Sequence, residues 1–177
     1  MLGLPNGEVF LVPWTVEWEI EFLLEKEKIH QALFNKILSI HHIGSTSVRN
    51  LSSKPILDIA IVIPSFEIGL ECVVPLEQLG YTYRGSDLLP DRHYFNKGEP
   101  RTHQIHMYES ENRYLLEQLS FRDYLRNNEV ARMQYEELKR ELVKQNSKNK
   151  HKYADDKTEF VKIILKKIND ENNNHQK

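Results

Sequence analysis

The chain has 177 residues, of which 40% are hydrophobic and 28% are charged, and its formal net charge is −2. This length, with no long Gly, Pro or Ser tract, predicts a single domain over residues 1–168 and a disordered tail over residues 169–177. The balanced charge argues against a nucleic-acid partner, and the single cysteine, Cys72, excludes both an intramolecular disulfide and a multi-cysteine zinc site.

Helix and strand patterns alternate in the first half of the chain. Apolar residues recur at helical spacing after Thr15, which suits an N-cap, and two β-branched runs follow. Pro75 is expected to kink or split the next helix because proline cannot continue the backbone hydrogen bonding. The expected elements are a helix from Thr15 to Ile37, strands at Leu38–Ile43 and Ile56–Ile63, and a helix at Ser65–Leu79.

The second half contains a hairpin pattern followed by a helical region. Asn96 to Pro100 contains a Gly-Glu-Pro sequence between two alternating segments, as expected for a hairpin loop. The Asn/Lys-rich stretch from Gln145 to Lys152 is interpreted as a linker. The expected strands are Tyr81–Arg84, Arg92–Asn96 and Thr102–Tyr108, and the expected helices are Glu111–Arg126, Val130–Lys144 and Tyr153–Ile168.

One acidic residue, Asp58, lies within the second buried strand, and a Gly44-Ser45 turn precedes it along the chain. An unpaired carboxylate in a buried strand would cost several kcal/mol. Asp58 is therefore expected to be hydrogen-bonded, paired with a base, or bound to a cation at the edge of a pocket. Glycine allows a tight turn here, and Ser45 could either cap the following backbone or contact a ligand.

These residues resemble the nucleotidyltransferase superfamily pattern, in which a Gly-Ser turn and a spacer precede Asp, an apolar residue, an acid and an apolar residue. The segments HHIGSTSV, LSSKPILDI and FRDYLR, and a final helix with Tyr153 and Lys157, are similar to the GrpB family. The resemblance extends from Val12 to about Leu165. It implies an α/β (α+β) fold of nucleotidyltransferase type, with a mixed β-sheet of about five strands packed by helices.

The chain departs from the superfamily pattern at Ala60, where a second acid is expected. Carboxylates two residues apart on a strand face the same side and together hold the metal ions of nucleotidyl transfer. With Asp58 alone, a second acid must come from elsewhere. Glu109, at the end of a later strand, and Asp123, within FRDYLR, are the candidates.

Several residues are candidates for binding phosphate. In a functional site, the turn N–H groups and the Ser45 and Thr46 hydroxyls would hold a phosphate, as an anion nest does. Each cation also has a structural alternative as a solvated or ion-paired surface residue. Arg122 and Arg126 are four residues apart and so share one helix face. One of them could instead form an ion pair with Asp58. The candidate phosphate-binding residues are Gly44, Ser45, Thr46, Lys54, Arg92, Lys97, Arg122 and Arg126.

His106 is the candidate general base, with a hydrogen-bonded structural histidine as the alternative. His103 and His106 are three residues apart on a predicted strand, so they should face opposite sides of the sheet and cannot both line one pocket without a bulge, which argues against a paired-histidine metal site. The predicted catalytic residues are therefore Asp58, as a ligand of Mg²⁺, and His106.

The leading hypothesis is a metal-dependent nucleotidyltransferase that transfers a nucleoside monophosphate from a triphosphate to an unknown acceptor. The alternative, which Ala60 favours, is a catalytically degenerate nucleotide- or coenzyme-binding module of GrpB type. A protein-interaction scaffold is a third possibility. The sequence shows no secretory signal and no apolar run of bilayer length, which predicts a cytoplasmic protein without a membrane partner.

Overall fold

The computed structural model describes residues 2–89, 91–146 and 150–174. These residues form five strands and six helices in the predicted order, the sixth helix arising because one expected helix is split, and a short 3-10 turn at Ser45–Ser47 lies between the first two strands. The helices are α1 Glu17–Leu33, α2 Ile68–Glu71, α3 Val73–Gln78, α4 Arg113–Asn127, α5 Glu129–Asn146 and α6 Lys150–Asn174; the strands are β1 Ser39–Ile43, β2 Leu57–Ile63, β3 Tyr81–Tyr83, β4 His93–Lys97 and β5 His103–Glu109.

The strands form one mixed sheet in the order β1-β2-β5-β4-β3. Strands β2 and β5 are parallel, whereas the other neighbouring pairs are antiparallel. The β4–β5 pair is the predicted hairpin. Because β2 lies between β1 and β5 and is covered on both faces, it consists almost entirely of apolar residues, with Asp58 as the exception. The predicted mixed five-stranded sheet is confirmed.

Several helix boundaries differ from the sequence prediction. The split predicted for the helix over Ser65–Leu79 is confirmed, but it falls at Cys72, so that Pro75 lies in the first turn of α3, where a backbone N–H is not needed. Helix α1 ends at Leu33 rather than Ile37, and α6 continues to Asn174 beyond the predicted end at Ile168. The predicted linker is partly helical, because α5 extends to Asn146 and α6 begins at Lys150. Residues 147–149 of this linker and residues 175–177 of the predicted tail lie outside the described ranges.

The sheet separates two packed layers. On one side, which we call the α1 face, Ile59, Ile61, Phe95 and Ile105 pack against α1 and α3. On the other side, which we call the Asp58 face, alternate residues of β2 and β5 point towards α4, α5 and α6. The Asp58 face carries Asp58, Ala60 and Val62 of β2 beside Gln104, His106 and Tyr108 of β5.

None of the helices in the described ranges is both long enough and apolar enough to cross a membrane. The longest of them, α6, instead packs Ile164 and Phe160 against α4 and α5, in a cluster that also contains Leu125 and Tyr135. The three C-terminal helices therefore form a lid of packed side chains over the Asp58 face, and the candidate site lies between this lid and the sheet.

Candidate functional site

Gly44 and Asp58 meet at the edge of the Asp58 face. Ile43 pairs with Asp58 in the β1–β2 ladder, so the next residue, Gly44, lies beside the carboxylate. Gly44 has φ of +69°, and a Cβ atom there would lie 2.4 Å from Oδ2 of Asp58. Both the backbone conformation and the close approach require glycine at this position. The turn therefore packs its backbone directly against the carboxylate.

The Asp58 carboxylate is held by an amide rather than by an arginine. Nε2 of Gln104 donates a hydrogen bond to Oδ1 of Asp58 at 3.1 Å. The Tyr94 hydroxyl donates to Oε1 of Gln104, which orients the amide so that its NH₂ group faces Asp58. Within the described ranges, Asp58 forms no ion pair with an arginine. Its side chain is 27% exposed and therefore remains accessible to a ligand.

His106 lies beside the same carboxylate. Its Nε2 is 3.9 Å from Oδ1 of Asp58, and its Nδ1 is a buried nitrogen without a hydrogen-bond partner in the part of the chain that the structure describes. His103 pairs with Leu57 and lies on the α1 face, as the strand alternation predicted. The structure therefore brings His106, and not His103, to Asp58.

A cavity of about 530 Å³ opens between this edge of the sheet and helices α4, α5 and α6. Its volume is within the range of small-molecule sites. It has a charged end near Asp58 and an apolar wall formed by the helices. Eight of the residues predicted from the sequence line it, namely Gly44, Ser45, Thr46, Lys54, Asp58, Arg92, His106 and Arg122.

Two lysines that were not among the predicted site residues, Lys139 and Lys157, line the same cavity as Lys54. Lys139 is only 1% exposed; it donates to the Ser52 carbonyl. Burial lowers the pKa of Lys139 well below its usual value, and the charge of Lys157 lowers it further. Burial also lowers the pKa of Lys157, and the nearby Asp58 carboxylate opposes this shift. An anion bound in the cavity would favour the ammonium form of Lys139 and so raise its pKa again.

The signal for Lys139 was present in the sequence but weak. Lys139 is four residues after Tyr135 and three before Leu142, and both of these residues are buried. A lysine in register with a buried apolar stripe of α5 could have been singled out. Such lysines usually extend to solvent, however, and so periodicity alone does not identify a buried one.

Three of the predicted phosphate-binding side chains instead support the turn. Nε2 of His42 is 3.0 Å from the Thr46 hydroxyl, which is thereby engaged. Arg122 donates to the His42 carbonyl at 3.0 Å and also pairs with Asp123. Arg126 donates to the Ser47 carbonyl through Nε and Nη2 and does not line the main cavity. These two arginines therefore hold the backbone on either side of the Gly44-Ser45 turn in place.

Lys97 is not brought to the cavity, contrary to the prediction. It lies on the α1 face, where its Nζ is 2.6 Å from Oε1 of Glu25. Lys28 and the Tyr81 hydroxyl also donate to this fully buried carboxylate. Burial alone would raise the pKa of Glu25, but the hydrogen bonds from Lys97 and Lys28 outweigh it and hold the pKa below 4.5.

This cluster is also the place on the α1 face where metal-ligating atoms converge. Oxygens of Glu21 and Glu25 and a ring nitrogen of His103 lie within 4.8 Å of one another. Because Lys97 and Lys28 already neutralise Glu25, a metal cation would meet two ammonium groups there. These residues therefore form an ion-pair cluster and are not a suitable site for a metal cation.

Neither proposed source of a second acid lies beside Asp58. Glu109 pairs with Ile63 at the opposite end of β2. Asp123 is bound to Arg122 and does not line the cavity. Ala60 is fully buried in an apolar cluster with Ile43, Val62, Tyr108 and Leu115. Among the described residues, Glu117 is the only other carboxylate that lines the cavity, and it is bound to Arg113.

Related proteins match this chain over most of its length. The sequence pattern of the family described as GrpB protein matches residues 8–167. The chain is 36% identical over 159 residues to the UPF0157 protein YqkA of Bacillus subtilis, covering 89% of this chain and 46% of YqkA. It thus spans about half the length of that relative. The crystal structure of conserved protein GrpB from Enterococcus faecalis superposes with a TM-score of 0.82 at 34% identity, covering 89% of this chain and 98% of that one.

The fold also resembles that of a more distant protein. The Cid1 poly(U) polymerase with bound MgGTP superposes with a TM-score of 0.54 at 11% identity, covering 76% of this chain and 45% of Cid1. At this identity the likeness establishes the fold and not the activity. The sheet order, the Gly44–Asp58 edge and these matches agree with the resemblance noted from the sequence. The chain belongs to the GrpB family and has a nucleotidyltransferase-like fold.

Proposed function

We propose that the main cavity binds a nucleoside triphosphate with Mg²⁺ and transfers its nucleoside monophosphate to an acceptor. The observation that carries this proposal is the contact between the Gly44 backbone and Asp58 at the mouth of a cavity that also contains three lysines. A carboxylate for a cation and a cluster of ammonium groups for phosphates are the two requirements of a metal–triphosphate site.

The residues of the cavity have separate roles in this proposal. Ser45 and the backbone N–H groups of its turn contact the terminal phosphates. Lys54, Lys139 and Lys157 neutralise the phosphate charge from the side of the helices. The nucleoside lies along the apolar wall, where Phe121 is one of three aromatic side chains, the others being Tyr114 and Tyr135.

The residues fit one Mg²⁺ ion. Proteins usually hold Mg²⁺ through one or two carboxylates, with substrate phosphates and waters completing the coordination. Asp58 supplies one carboxylate that is accessible from the cavity and has one oxygen already fixed by Gln104. When bound, the ion would neutralise charge that develops on the transferring phosphoryl group.

The transfer itself uses the acceptor hydroxyl. Its oxygen forms a bond to the α-phosphorus, the bond from the α-phosphorus to the bridging oxygen breaks, and pyrophosphate leaves with the electron pair. His106 takes the acceptor proton on Nε2, the ring nitrogen nearest Asp58. The lysines stabilise the departing pyrophosphate.

A nucleotide- or coenzyme-binding module without transfer is the second candidate. Ala60 favours it, because an apolar cluster occupies the position of the second strand carboxylate. This module would use the same lysines and the same turn to bind phosphate. It predicts triphosphate binding without pyrophosphate release.

Thermal shift and pyrophosphate release separate the two candidates. The wild-type chain, Asp58→Asn and the control Asp170→Asn, which changes an exposed residue of α6, are tested with each nucleoside triphosphate, with and without Mg²⁺. A Mg²⁺-dependent shift with pyrophosphate release, both lost only in Asp58→Asn, supports transfer. A shift without release in any acceptor screen supports the module, and no shift with any triphosphate contradicts both.

A further inference from the structure

A second cavity adjoins the 3-10 turn that also borders the proposed triphosphate site. Its volume is about 510 Å³. The main cavity is lined by Ser45 and this one by Ser47, so the same turn forms part of both walls. The lining residues are Glu19, Ser47, Arg49, Asn50, Arg126 and Arg132.

The charges that line this second cavity do not balance. Three arginines and one glutamate line it, which gives a net charge of +2. Both carboxylate oxygens of Glu19 accept hydrogen bonds from Arg49, one from Nε and one from Nη2, each at 2.8 Å. The charges of Arg126 and Arg132 therefore have no carboxylate of their own within the cavity lining.

Arg126 is held in place by neutral and distant partners. Its Nε and Nη2 donate to the Ser47 carbonyl at 3.0 and 2.8 Å, which fixes the plane of the guanidinium. The Asp123 carboxylate is 3.6 Å from its Nη1 and is already bound to Arg122. Burial lowers the pKa of Arg126, and the charge of Arg122 lowers it further, so an added anion would stabilise this group.

Arg132 is a mostly buried guanidinium whose acidic partner is exposed to solvent. Its side chain is 15% exposed. The nearest carboxylate oxygen among the described residues belongs to Glu129, at 3.6 Å, which is longer than a hydrogen bond, and that side chain is 76% exposed. Solvent screens this long ion pair, so an anion bound in the cavity would be a stronger partner for Arg132.

We propose that this second cavity binds the phosphate group of a small phosphorylated molecule, between the guanidinium groups of Arg126 and Arg132. A phosphate monoester carries a charge of about −2 at neutral pH, which matches the excess charge of the lining. Planar guanidinium forks suit phosphate oxygens, and a phosphate bound here would contact groups that fix Ser47. This site is separate from the triphosphate site and does not depend on it.

Binding of inorganic phosphate and of ribose 5-phosphate tests the proposal. Titration calorimetry is carried out on the full chain and on Arg132→Gln, Arg132→Lys and the control Arg113→Gln, whose side chain is 86% exposed. We expect ribose 5-phosphate to bind the wild type, Arg132→Gln to weaken binding about tenfold or more, and Arg132→Lys to bind with intermediate affinity because it keeps only the charge. The control should bind as the wild type does.

The Lys139→Met variant distinguishes the two cavities. It should retain affinity for ribose 5-phosphate and lose affinity for the Mg²⁺–triphosphate, whereas Arg132→Gln should show the reverse pattern. Loss of ribose 5-phosphate binding in Lys139→Met with retention in Arg132→Gln would place the ligand in the main cavity and overturn the proposal. No binding to the wild type would also overturn it, as would binding of a short single-stranded RNA but not of the monoester.

Discussion

The two faces of the sheet both bury charged groups, but in different ways. On the α1 face, Glu25 accepts hydrogen bonds from Lys28, Lys97 and Tyr81, so its charge is fully compensated. On the Asp58 face, three lysines, two arginines and two carboxylates line a single cavity, so cations are in excess among its lining residues. The first arrangement is an ion-pair cluster, whereas the second places its cations around a cavity that an anion could enter.

This difference distinguishes charges that hold elements of the fold together from charges that are candidates for binding a ligand. A buried charge with complete partners holds elements together, and removing one partner exposes an uncompensated charge. A buried cation such as Lys139, which donates to a carbonyl rather than to a carboxylate, is costly until an anionic ligand binds, and this cost is expected where binding requires it. Substitutions on the two faces should therefore differ in their effects on stability and on ligand binding.

Gly44→Ala should have the largest effect, because it alters the point where the turn meets Asp58. The new Cβ would lie 2.4 Å from Oδ2 of Asp58, at a backbone φ that favours glycine. We expect the free energy of unfolding to fall by about 3 kcal/mol and the triphosphate-induced thermal shift to be lost. Gly7→Ala is the control, because its φ is also positive but nothing lies within 4 Å of its Cβ. Equal losses in both variants would contradict the packing argument.

His42 should make stability depend on pH. It lies on the α1 face, stacked on Phe22, and burial lowers its pKa from 6.5 to about 4. The unfolded chain therefore binds the extra proton first, and stability falls as the pH decreases from about 6.5 to about 4. The loss should reach up to about 3 kcal/mol in denaturant titrations. His42→Gln should have a flatter profile in this window, and an unchanged slope would exclude His42 as the source.

Lys97→Met should lower the free energy of unfolding by about 2 kcal/mol, because Glu25 would lose its shortest charged partner while it stays buried. Urea denaturation at neutral pH measures the change. The double variant Lys97→Met with Glu25→Gln should recover part of the loss, since the uncompensated charge is removed as well. If the two single changes add without recovery, the α1 face cluster is not a coupled unit.

Lys139→Met should change the free energy of unfolding by less than about 1 kcal/mol, because the cost of burying an ammonium group offsets its hydrogen bond to Ser52. The same variant should nevertheless weaken triphosphate binding, which separates affinity from stability. Lys162→Met, at a 68% exposed position of α6, is the control for a lost charge. A destabilisation as large as that of Lys97→Met would make Lys139 a structural residue.

The sequence predicted the sheet and the turn because both depend on local patterns. Alternation along β5 correctly assigned His103 and His106 to opposite faces. Lys97 pairs with His103 in the hairpin and therefore lies on the α1 face, away from the cavity. Knowledge of this register would have excluded Lys97 from the predicted phosphate-binding residues. That register becomes known only when the loop length between the strands is known.

The residues that sequence reasoning missed depend on tertiary packing. Lys139 and Lys157 come from two helices that meet only in the folded chain. Arg122 and Arg126 share a helix face, as predicted, yet both donate to backbone carbonyls next to the turn, and no spacing rule encodes that choice. Local periodicity gives the face of an element but not the identity of its partner.

The burial of Ala60 determines which changes could convert this site into one with two strand carboxylates. Ala60→Asp would direct a charge into the cluster of Ile43, Tyr108 and Leu115, at a cost of several kcal/mol. Such a variant would lose much of the stability of a typical domain before any benefit to catalysis appeared. The two-carboxylate arrangement is thus separated from this chain by several coordinated substitutions, and laboratory evolution by single steps would have to open the apolar cluster first.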